Sequence, residues 1–347
     1  MRNKSLSFAR AIKNRSIGKI LDSWFQRFSM VDKKVGLFPQ AAWLLRSLFS
    51  SRFRKHRSLR RFCFMNNQKF WEPLNIDNRI LPSVELLVLA KESDFEILNL
   101  VVEYAVLNSV NPISNVRIVV PRDSMPTVNS LFKEDKVLFS LLPVIDSDDS
   151  FISESEISKI VQVIPGRLGW VKQQVIANRA IQESESDWVL LVDADTILLK
   201  PRMWINELGE QILLPSEEFH DPYYDFLKTL SNDYKDAKNS FVSHHMIYNV
   251  KSLREIMARL GGISEVLDKA LSWSIGKGES PFDLKYEIYA QYIYASDVNR
   301  VRLEKWGNVS YDRRNFSNMD KLKSELEILR NHYCSVSYHH WNVRDEF

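Results

Sequence analysis

Residues Trp188 to Pro201 read WVLLVDADTILLKP, and this stretch decides the fold. The five apolar residues that open it are typical of a strand buried on both faces of a sheet. Asp193 and Asp195 follow at the strand end, where both carboxylates can point at one ion because alternate side chains share a face. Paired oxygen ligands of this kind suit Mg²⁺ or Mn²⁺. The alternative is a solvated pair in a turn, but two carboxylates at a buried strand end repel each other without a cation.

The flanking segments predict the architecture. Apolar runs predict strands, and apolar residues at helical spacing predict the helices between them. This alternation predicts an α/β fold with a mostly parallel, Rossmann-like sheet covered by helices, and ligands of such sheets bind beyond the carboxyl ends of the strands. The predicted strands are Val84–Ala90, Val116–Pro121, Val137–Val144, Gln211–Leu214, Phe241–Tyr248 and Tyr333–Trp341, and the main helices are Asp94–Leu107, Gly169–Gln182 and one that stops at Gly261.

The charge is divided unevenly along the chain. Of 347 residues, 45% are apolar and 26% charged, which is ordinary for a globular protein and excludes a disordered or collagenous class. Residues 1–65 hold 16 lysines and arginines against Asp22 and Asp32, a net charge of +14. The remainder holds 31 basic and 42 acidic residues, a net charge of −11. The sequence therefore predicts a basic extension over residues 1–70 and a separate domain over residues 80–347.

The extension is predicted to be helical and amphipathic, with an apolar stripe at Ile17, Ile20, Leu21, Trp24, Phe25 and Phe28. Basic amphipathic helices with aromatic residues commonly lie on anionic membrane surfaces, which we expect to be the partner of residues 1–65. The alternative is a helical cap on the main domain. A nucleic-acid partner is not expected, because no nucleic-acid-binding signature accompanies the charge.

The compartment is predicted from what the sequence lacks. Cys63 and Cys334 are the only cysteines, so no disulfide framework is expected and a reducing compartment is the default. No run approaches the roughly 18 apolar residues of a spanning helix, and no signal peptide is recognised. We expect a cytoplasmic protein that is peripheral at the inner face of a membrane.

The segment around the two aspartates resembles the GT-A class of nucleotide-sugar glycosyltransferases. That class carries an Asp-x-Asp motif after an apolar strand, matched here by Val192–Thr196 and by Lys200-Pro201. The resemblance covers roughly residues 82–345 and is closest to a poorly characterised bacterial family with a Trp-x-x-Gln-Gln helix, matched by Trp170 to Gln174. It implies a GT-A-like domain and a manganese- or magnesium-dependent transfer of sugar from a nucleotide diphosphate to a glycan or lipid-linked acceptor, as in bacterial surface polysaccharide synthesis.

The resemblance also implies roles on the donor side. Asp195 would bind the metal that bridges the two phosphates, and Asp193 would contact the metal through water or contact the ribose and sugar hydroxyls. Ala90 and Lys91 at the end of the first strand, with Arg122 after the second, would lie near the base and ribose. Lys172 or Gln174 on the helix before the motif could reach the nucleotide or sugar. Each of these residues has an alternative as an ordinary surface position.

A third metal ligand in this class often comes from a histidine near the C-terminus. His339 and His340 both lie in the closing strand. Strand alternation places His340 with Val336 and Tyr338, and His339 with Ser337. Since Val336 is expected to face the core, we select His339 as the ligand, which favours Mn²⁺ over Mg²⁺. The alternative is that both are ordinary polar residues.

Two further segments resemble the same family. The segment Phe282–Tyr289 resembles an acidic helix that holds the base of inverting enzymes, so Glu287 is the first candidate for that base and Asp283 the second. Lys285 stands where an acid is expected, and a purely structural helix is the alternative. His244 and His245 resemble a His-His strand on the acceptor side, with core histidines as the alternative.

Two rival classes fit the motif less well. A haloacid dehalogenase-like phosphatase also uses Asp-x-Asp at a strand end, but Ile197 stands where that motif has Thr or Val. It also needs a downstream acidic pair, whereas Asp148-Asp149 lies upstream. A non-catalytic interaction protein on a glycosyltransferase scaffold is the other alternative, and the intact carboxylates argue against it.

Overall fold

The computed structural model describes residues 81–133, 141–216, 220–234, 240–275, 283–296, 300–304, 306–313 and 319–339. The predicted extension over residues 1–70, with its membrane-facing helices, lies outside the described residues, as does His340. The boundary between an extension and a domain over 80–347 therefore stays a prediction.

The described chain contains ten strands and nine helices of the α type. The strands are β1 (Val84–Leu89), β2 (Ile113–Val120), β3 (Val144–Ser147), β4 (Trp188–Asp193), β5 (Thr196–Leu198), β6 (Gln211–Leu213), β7 (His245–Asn249), β8 (Val301–Leu303), β9 (Asn308–Asp312) and β10 (Ser335–His339). The helices are α1 (Phe95–Leu107), α2 (Met125–Lys133), α3 (Glu154–Val163), α4 (Leu168–Glu183), α5 (Asp221–Leu230), α6 (Val250–Leu260), α7 (Ile263–Ser274), α8 (Glu287–Ser296) and α9 (Met319–Arg330).

Five strands form the central sheet in the order β3-β2-β1-β4-β7. The first four are parallel, and β7 is antiparallel to β4. β5, β10 and β9 form a second sheet, and β6 pairs with β8. The predicted mostly parallel α/β sheet with helices is confirmed.

Each face of the central sheet has its own core, because alternate side chains of one strand point in opposite directions. On one face Leu87 and Leu191 pack with residues of α4, α6, α7 and α8. On the other face Leu86 and Leu190 pack with residues of α1, α2 and α9. All six residues of β1 are buried, as its almost wholly apolar run predicts. Burial of each such side chain contributes about 1.5–3 kcal/mol, so β1 and β4 stabilise the centre of the sheet.

Two predicted strands begin later in the structure than expected. The third strand, predicted at Val137–Val144, is found as β3 at Val144–Ser147, and residues 134–140 are outside the described part. Pairing with β2 starts at Val144 opposite Arg117, and Leu142, two residues earlier, is 69% exposed. The strand predicted from Phe241 begins at His245, because Phe241 donates its amide to the Glu287 carboxylate and not to a neighbouring strand.

The helix end predicted at the double glycine is confirmed. α6 ends at Leu260, and Gly261 follows with a φ of 90°, a left-handed conformation that favours glycine. Within the described ranges, no helix combines the length and the apolar character needed to cross a membrane.

Candidate metal centre

The two aspartates lie at the carboxyl edge of the central sheet, as predicted. Asp193 is the last residue of β4 and pairs with Leu89 of β1, and Asp195 lies in the turn that leads into β5. Since β7 runs antiparallel to β4, the start of β7 lies beside the end of β4. The Asp193 amide accordingly donates to the His244 carbonyl at 2.8 Å. The topology therefore brings a histidine next to the Asp-x-Asp motif.

Asp193, Asp195 and His244 form a cluster that fits a metal ion. One ligand atom from each residue lies within 4.8 Å of the other two, and all three side chains are half-buried. Two carboxylate oxygens and one imidazole nitrogen suit Mn²⁺, with the remaining positions open to water or to a phosphate oxygen. The family resemblance predicted His244 on the acceptor side, and the structure adds it to the candidate ligands.

His339, the histidine predicted as the third ligand, contacts Asp195. Its Nδ1 lies 2.8 Å from Asp195 Oδ2, and its ring centroid is 4.9 Å from that of His244. The pairing of β10 with β5 delivers it there, since Ser337 lies opposite Thr196. Val336 and Tyr338 are buried in the core, as the alternation argument requires. The described cluster that fits a metal contains His244 and not His339, so direct ligation by His339 stays a prediction.

Asp193 has two further partners, both from the segment before α8. Lys285 Nζ donates to Asp193 Oδ1 at 2.5 Å, and the Tyr286 hydroxyl donates to the same oxygen at 3.0 Å. The other oxygen, Oδ2, lies 3.6 Å from His244 Nδ1. Burial alone would raise the pKa of Asp193, but the charge of Lys285 and the interaction with His244 outweigh it and hold that pKa well below its usual value. Asp193 is therefore ionised at neutral pH.

Gln174, predicted near the nucleotide or sugar, fixes the backbone position of Lys285. Its side chain is buried, and its Oε1 accepts hydrogen bonds from the amides of Leu284 at 2.6 Å and Lys285 at 3.1 Å. Tyr248 donates its hydroxyl to the Lys285 carbonyl. A residue of α4 thus contacts the backbone beside Lys285 and so acts on the metal centre indirectly.

The predicted bases Glu287 and Asp283 are both buried. The Glu287 side chain is fully buried, and its Oε1 accepts from the Tyr224 hydroxyl, the Ser240 hydroxyl and the Phe241 amide. Burial, followed by the charge of Asp283, raises its pKa to about 7. Asp283 Oδ1 accepts from the amides at positions 286 and 287 and so caps α8. Glu287 has no exposed surface from which to meet an acceptor hydroxyl.

His245, also predicted on the acceptor side, points into the protein. It is 1% exposed and packs against the rings of Trp204 and Trp306. Burial, with the nearby charge of Arg202, holds its pKa well below the usual value. The structure therefore favours the core alternative for His245, while its neighbour His244 faces the metal cluster, as opposite strand faces require.

The remaining donor-side candidates lie at the same sheet edge but are not equally exposed. Lys172 forms an ion pair with Asp148 at 2.6 Å, and the 72% exposed Arg122 forms one with Asp149 at 2.7 Å. Lys91 is exposed after β1, whereas Ala90 is 7% exposed and donates its amide to Val119 of β2. The edge of the sheet formed by the ends of β1, β2, β3 and β4 thus carries separate basic and acidic groups.

Lys285 and Tyr286 contact Asp193 in the structure but were not predicted as site residues from the sequence. The signal for Lys285 was its position where an acid is expected, because a charge reversal near two aspartates suggests a partner for one of them. Tyr286 had no signal beyond the tyrosine periodicity, which a core helix produces equally well.

Fold and site together define an α/β protein with an acidic, histidine-containing centre at the carboxyl edge of its sheet. No protein-family model and no curated protein sequence matches the chain. Among solved structures, mouse xyloside xylosyltransferase 1 in its apo form has 12% identity and a TM-score of 0.40, over 76% of this chain and 99% of that one. The galactosyltransferase LgtC with donor and acceptor sugar analogs has 12% identity and a TM-score of 0.37, over 74% of this chain and 87% of that one. An active-site mutant of LgtC has 11% identity and a TM-score of 0.36, with the same coverage. Because all three TM-scores are below 0.5, function has to be inferred from the side chains of the site.

Proposed function

We propose that this protein is a metal-dependent glycosyltransferase that moves a sugar from a nucleotide-diphosphate donor to a glycan or lipid-linked acceptor. The observation that carries the proposal is the cluster of Asp193, Asp195 and His244 at the carboxyl edge of a mostly parallel sheet. Donors of this type have a diphosphate leaving group, whose charge must be neutralised as the glycosidic bond breaks. A hard divalent cation at such an edge supplies that neutralisation as a Lewis acid.

The residues of the chain hold and orient this centre. Asp195, Asp193 Oδ2 and His244 would bind Mn²⁺ or Mg²⁺. His339 orients Asp195 through its 2.8 Å contact and is proposed as a further ligand. Lys285 and Tyr286 fix the other oxygen of Asp193 and so set the direction of the remaining one.

Lys172 and Arg122 are proposed to meet the donor. Both are paired with single aspartates that follow β3, and the Arg122 pair is solvent-exposed and thus worth little. A phosphate or a ribose hydroxyl could replace the aspartate at small cost. For Glu287 we propose a structural role, because its carboxylate joins α8 to Tyr224 and to the chain before β7.

Substitution of Asp195 tests the proposed centre. Asp195→Ala should reduce Mn²⁺-dependent hydrolysis or transfer of a sugar nucleotide more than about 100-fold, since loss of a ligand exceeds the effect of losing a neighbour of a ligand. Turnover is measured against a panel of sugar nucleotides, with thermal shift with and without Mn²⁺ to detect binding. Asp268→Ala is the matched control, because Asp268 is exposed and pairs only with Lys159 among the ion pairs of the described residues. Full activity of Asp195→Ala would show the assignment to be wrong.

The two rival functions predict different results in the same assay. A phosphatase would release phosphate from p-nitrophenyl phosphate, and it would need Asp193 or Asp195 free as a nucleophile. Asp193 Oδ1 is already occupied by Lys285 and Tyr286, which disfavours it as a nucleophile. An interaction protein would bind no sugar nucleotide and would show no stabilisation by Mn²⁺.

We further propose that the protein acts at the cytoplasmic face of an anionic membrane, in the synthesis of a surface polysaccharide. The support is the net charge of +14 over residues 1–65. Deletion of residues 1–65 should abolish co-sedimentation with vesicles containing anionic lipid. The full chain should bind those vesicles less at high salt and bind neutral vesicles weakly. Equal binding to neutral vesicles would exclude an electrostatic anchor.

A further inference from the structure

A buried lysine shares a carboxylate with the candidate metal ion. Lys285 is 7% exposed, and its ammonium donates to Asp193 Oδ1 at 2.5 Å. The ammonium also lies 4.4 Å from the centroid of the Tyr286 ring, close enough for a cation–π contact. A buried lysine is costly unless it is paired, so this pair is a built feature of the site and not a chance surface contact.

The backbone of Lys285 is also fixed by hydrogen bonds. Gln174 accepts its amide, and Tyr248 donates to its carbonyl. Asp283, two residues earlier, caps the helix that follows. These backbone contacts keep the Lys285 ammonium within reach of Asp193, so an ion that binds Asp193 does so beside it.

We propose that Lys285 is a built-in counter-cation of the metal centre, which stabilises Asp193 without metal and lowers the affinity of the centre for a divalent cation. This inference rests on the metal centre of the proposed function. The lower affinity is expected because the ammonium and the ion would bind the two oxygens of one carboxylate. Two positive charges separated only by a carboxylate group in a half-buried site repel each other strongly. Lys285 also neutralises one of the two negative charges that attract the ion.

Three substitutions of Lys285 separate its charge from its shape. Lys285→Met keeps the length and removes the charge, Lys285→Gln keeps a hydrogen-bond donor without charge, and Lys285→Arg keeps the charge. Lys159→Met is the matched control, because Lys159 pairs with Asp268 through exposed side chains. Mn²⁺ affinity is measured by titration calorimetry and by the electron paramagnetic resonance signal of free Mn²⁺. The melting temperature is recorded in EDTA and in Mn²⁺.

The neutral variants are expected to be less stable than the wild type in EDTA and to gain more stability from Mn²⁺. Lys285→Met and Lys285→Gln should bind Mn²⁺ at least about tenfold more tightly than the wild type. In EDTA both should melt below the wild type, because Asp193 is left without its cation, and Mn²⁺ should raise their melting temperatures more than that of the wild type. Lys285→Arg and Lys159→Met should keep the wild-type affinity within about threefold.

Two outcomes overturn the inference, and one of them also overturns the metal centre. If the wild type binds Mn²⁺ and loses it on Asp195→Ala, but both neutral variants bind with unchanged or weaker affinity, the counter-cation role is wrong and the centre stands. If neither the wild type nor the neutral variants bind Mn²⁺, both assignments fall. Should Lys285→Met fail to fold in EDTA, Lys285→Gln decides by the same criteria, and recovery of the folded state in Mn²⁺ supports the proposal.

Discussion

The half-buried carboxylate of Asp193 and the fully buried carboxylate of Glu287 receive opposite kinds of partner. Asp193 receives the ammonium of Lys285 and a tyrosine hydroxyl from Tyr286. Glu287 receives only neutral donors on its Oε1, from Tyr224, Ser240 and the Phe241 amide. Asp193 thus has a cationic partner, whereas Glu287 Oε1 has neutral partners.

The comparison shows that the charge of the partner decides the difference in pKa between the two groups. Burial acts on both carboxylates in the same direction, towards a higher pKa. A cation reverses this effect at Asp193, whereas neutral donors and the nearby Asp283 leave the pKa of Glu287 at about 7. Asp193 is consequently ready to bind a cation, and Glu287 is suited to joining elements of the core.

The largest expected effect comes from removing the Glu287 carboxylate. Glu287→Ala leaves the donors of Tyr224, Ser240 and Phe241 buried without an acceptor, and should lower the free energy of unfolding by about 3 kcal/mol. Glu287→Gln keeps an acceptor oxygen and should stay within about 1 kcal/mol of the wild type at pH 4.5, where Glu287 is protonated in the folded state. Denaturant unfolding measures both. Loss of all turnover in a stable, folded Glu287→Gln variant would instead support the catalytic-base hypothesis.

A pH series sharpens the same contrast. Because folding raises the pKa of Glu287 from 4.5 to about 7, the folded state binds the extra proton between these values, and stability falls as pH rises through that window. The wild type should lose about 3 kcal/mol relative to Glu287→Gln between pH 4.5 and pH 8. For Asp193 the sign is opposite, since its folded pKa is depressed and its contribution is lost as pH falls below 3.8. A difference between the two proteins that does not change with pH would contradict this account.

A smaller effect is expected from Gln174, which orients the cationic side of the segment. Gln174→Ala removes the acceptor of the Leu284 and Lys285 amides and should cost about 2 kcal/mol of unfolding free energy. Gln173→Ala, one position earlier on the same helix and half-buried, should cost less than about 0.5 kcal/mol. Equal losses in the two variants would mean that the segment is held by other contacts.

Part of the site could be predicted from local pattern. The apolar run before Asp193 specifies a buried strand, and the period of two selects His339 as the histidine on the face opposite Val336. The structure places His339 2.8 Å from Asp195. The third strand was predicted too early, because an apolar run marks a candidate strand but pairing with Arg117 and its neighbours decides which residues join the sheet.

The donor, base and acceptor roles were harder to predict, because they depend on which way each side chain points and whether it is buried in the folded protein. Glu287 carries the right chemistry for a base, but the packing of α5 and α8 buries it. Gln174 carries a polar group on the right helix, but it faces a backbone segment and not the open edge. His245 differs from His244 only by one position on a strand, and that position decides between core and centre.

The sequence by itself determined that a mostly parallel α/β sheet ends in two carboxylates, because periodicity and apolar runs are local properties that survive without knowledge of the partners. Only the tertiary structure decided which groups meet those carboxylates. His244 arrives because β7 runs antiparallel to β4, and Lys285 arrives because Gln174 and Tyr248 hold its backbone. These contacts join residues from 37 to 111 positions apart, and the energy of a charge depends on what surrounds it in space, so no local pattern contains that information.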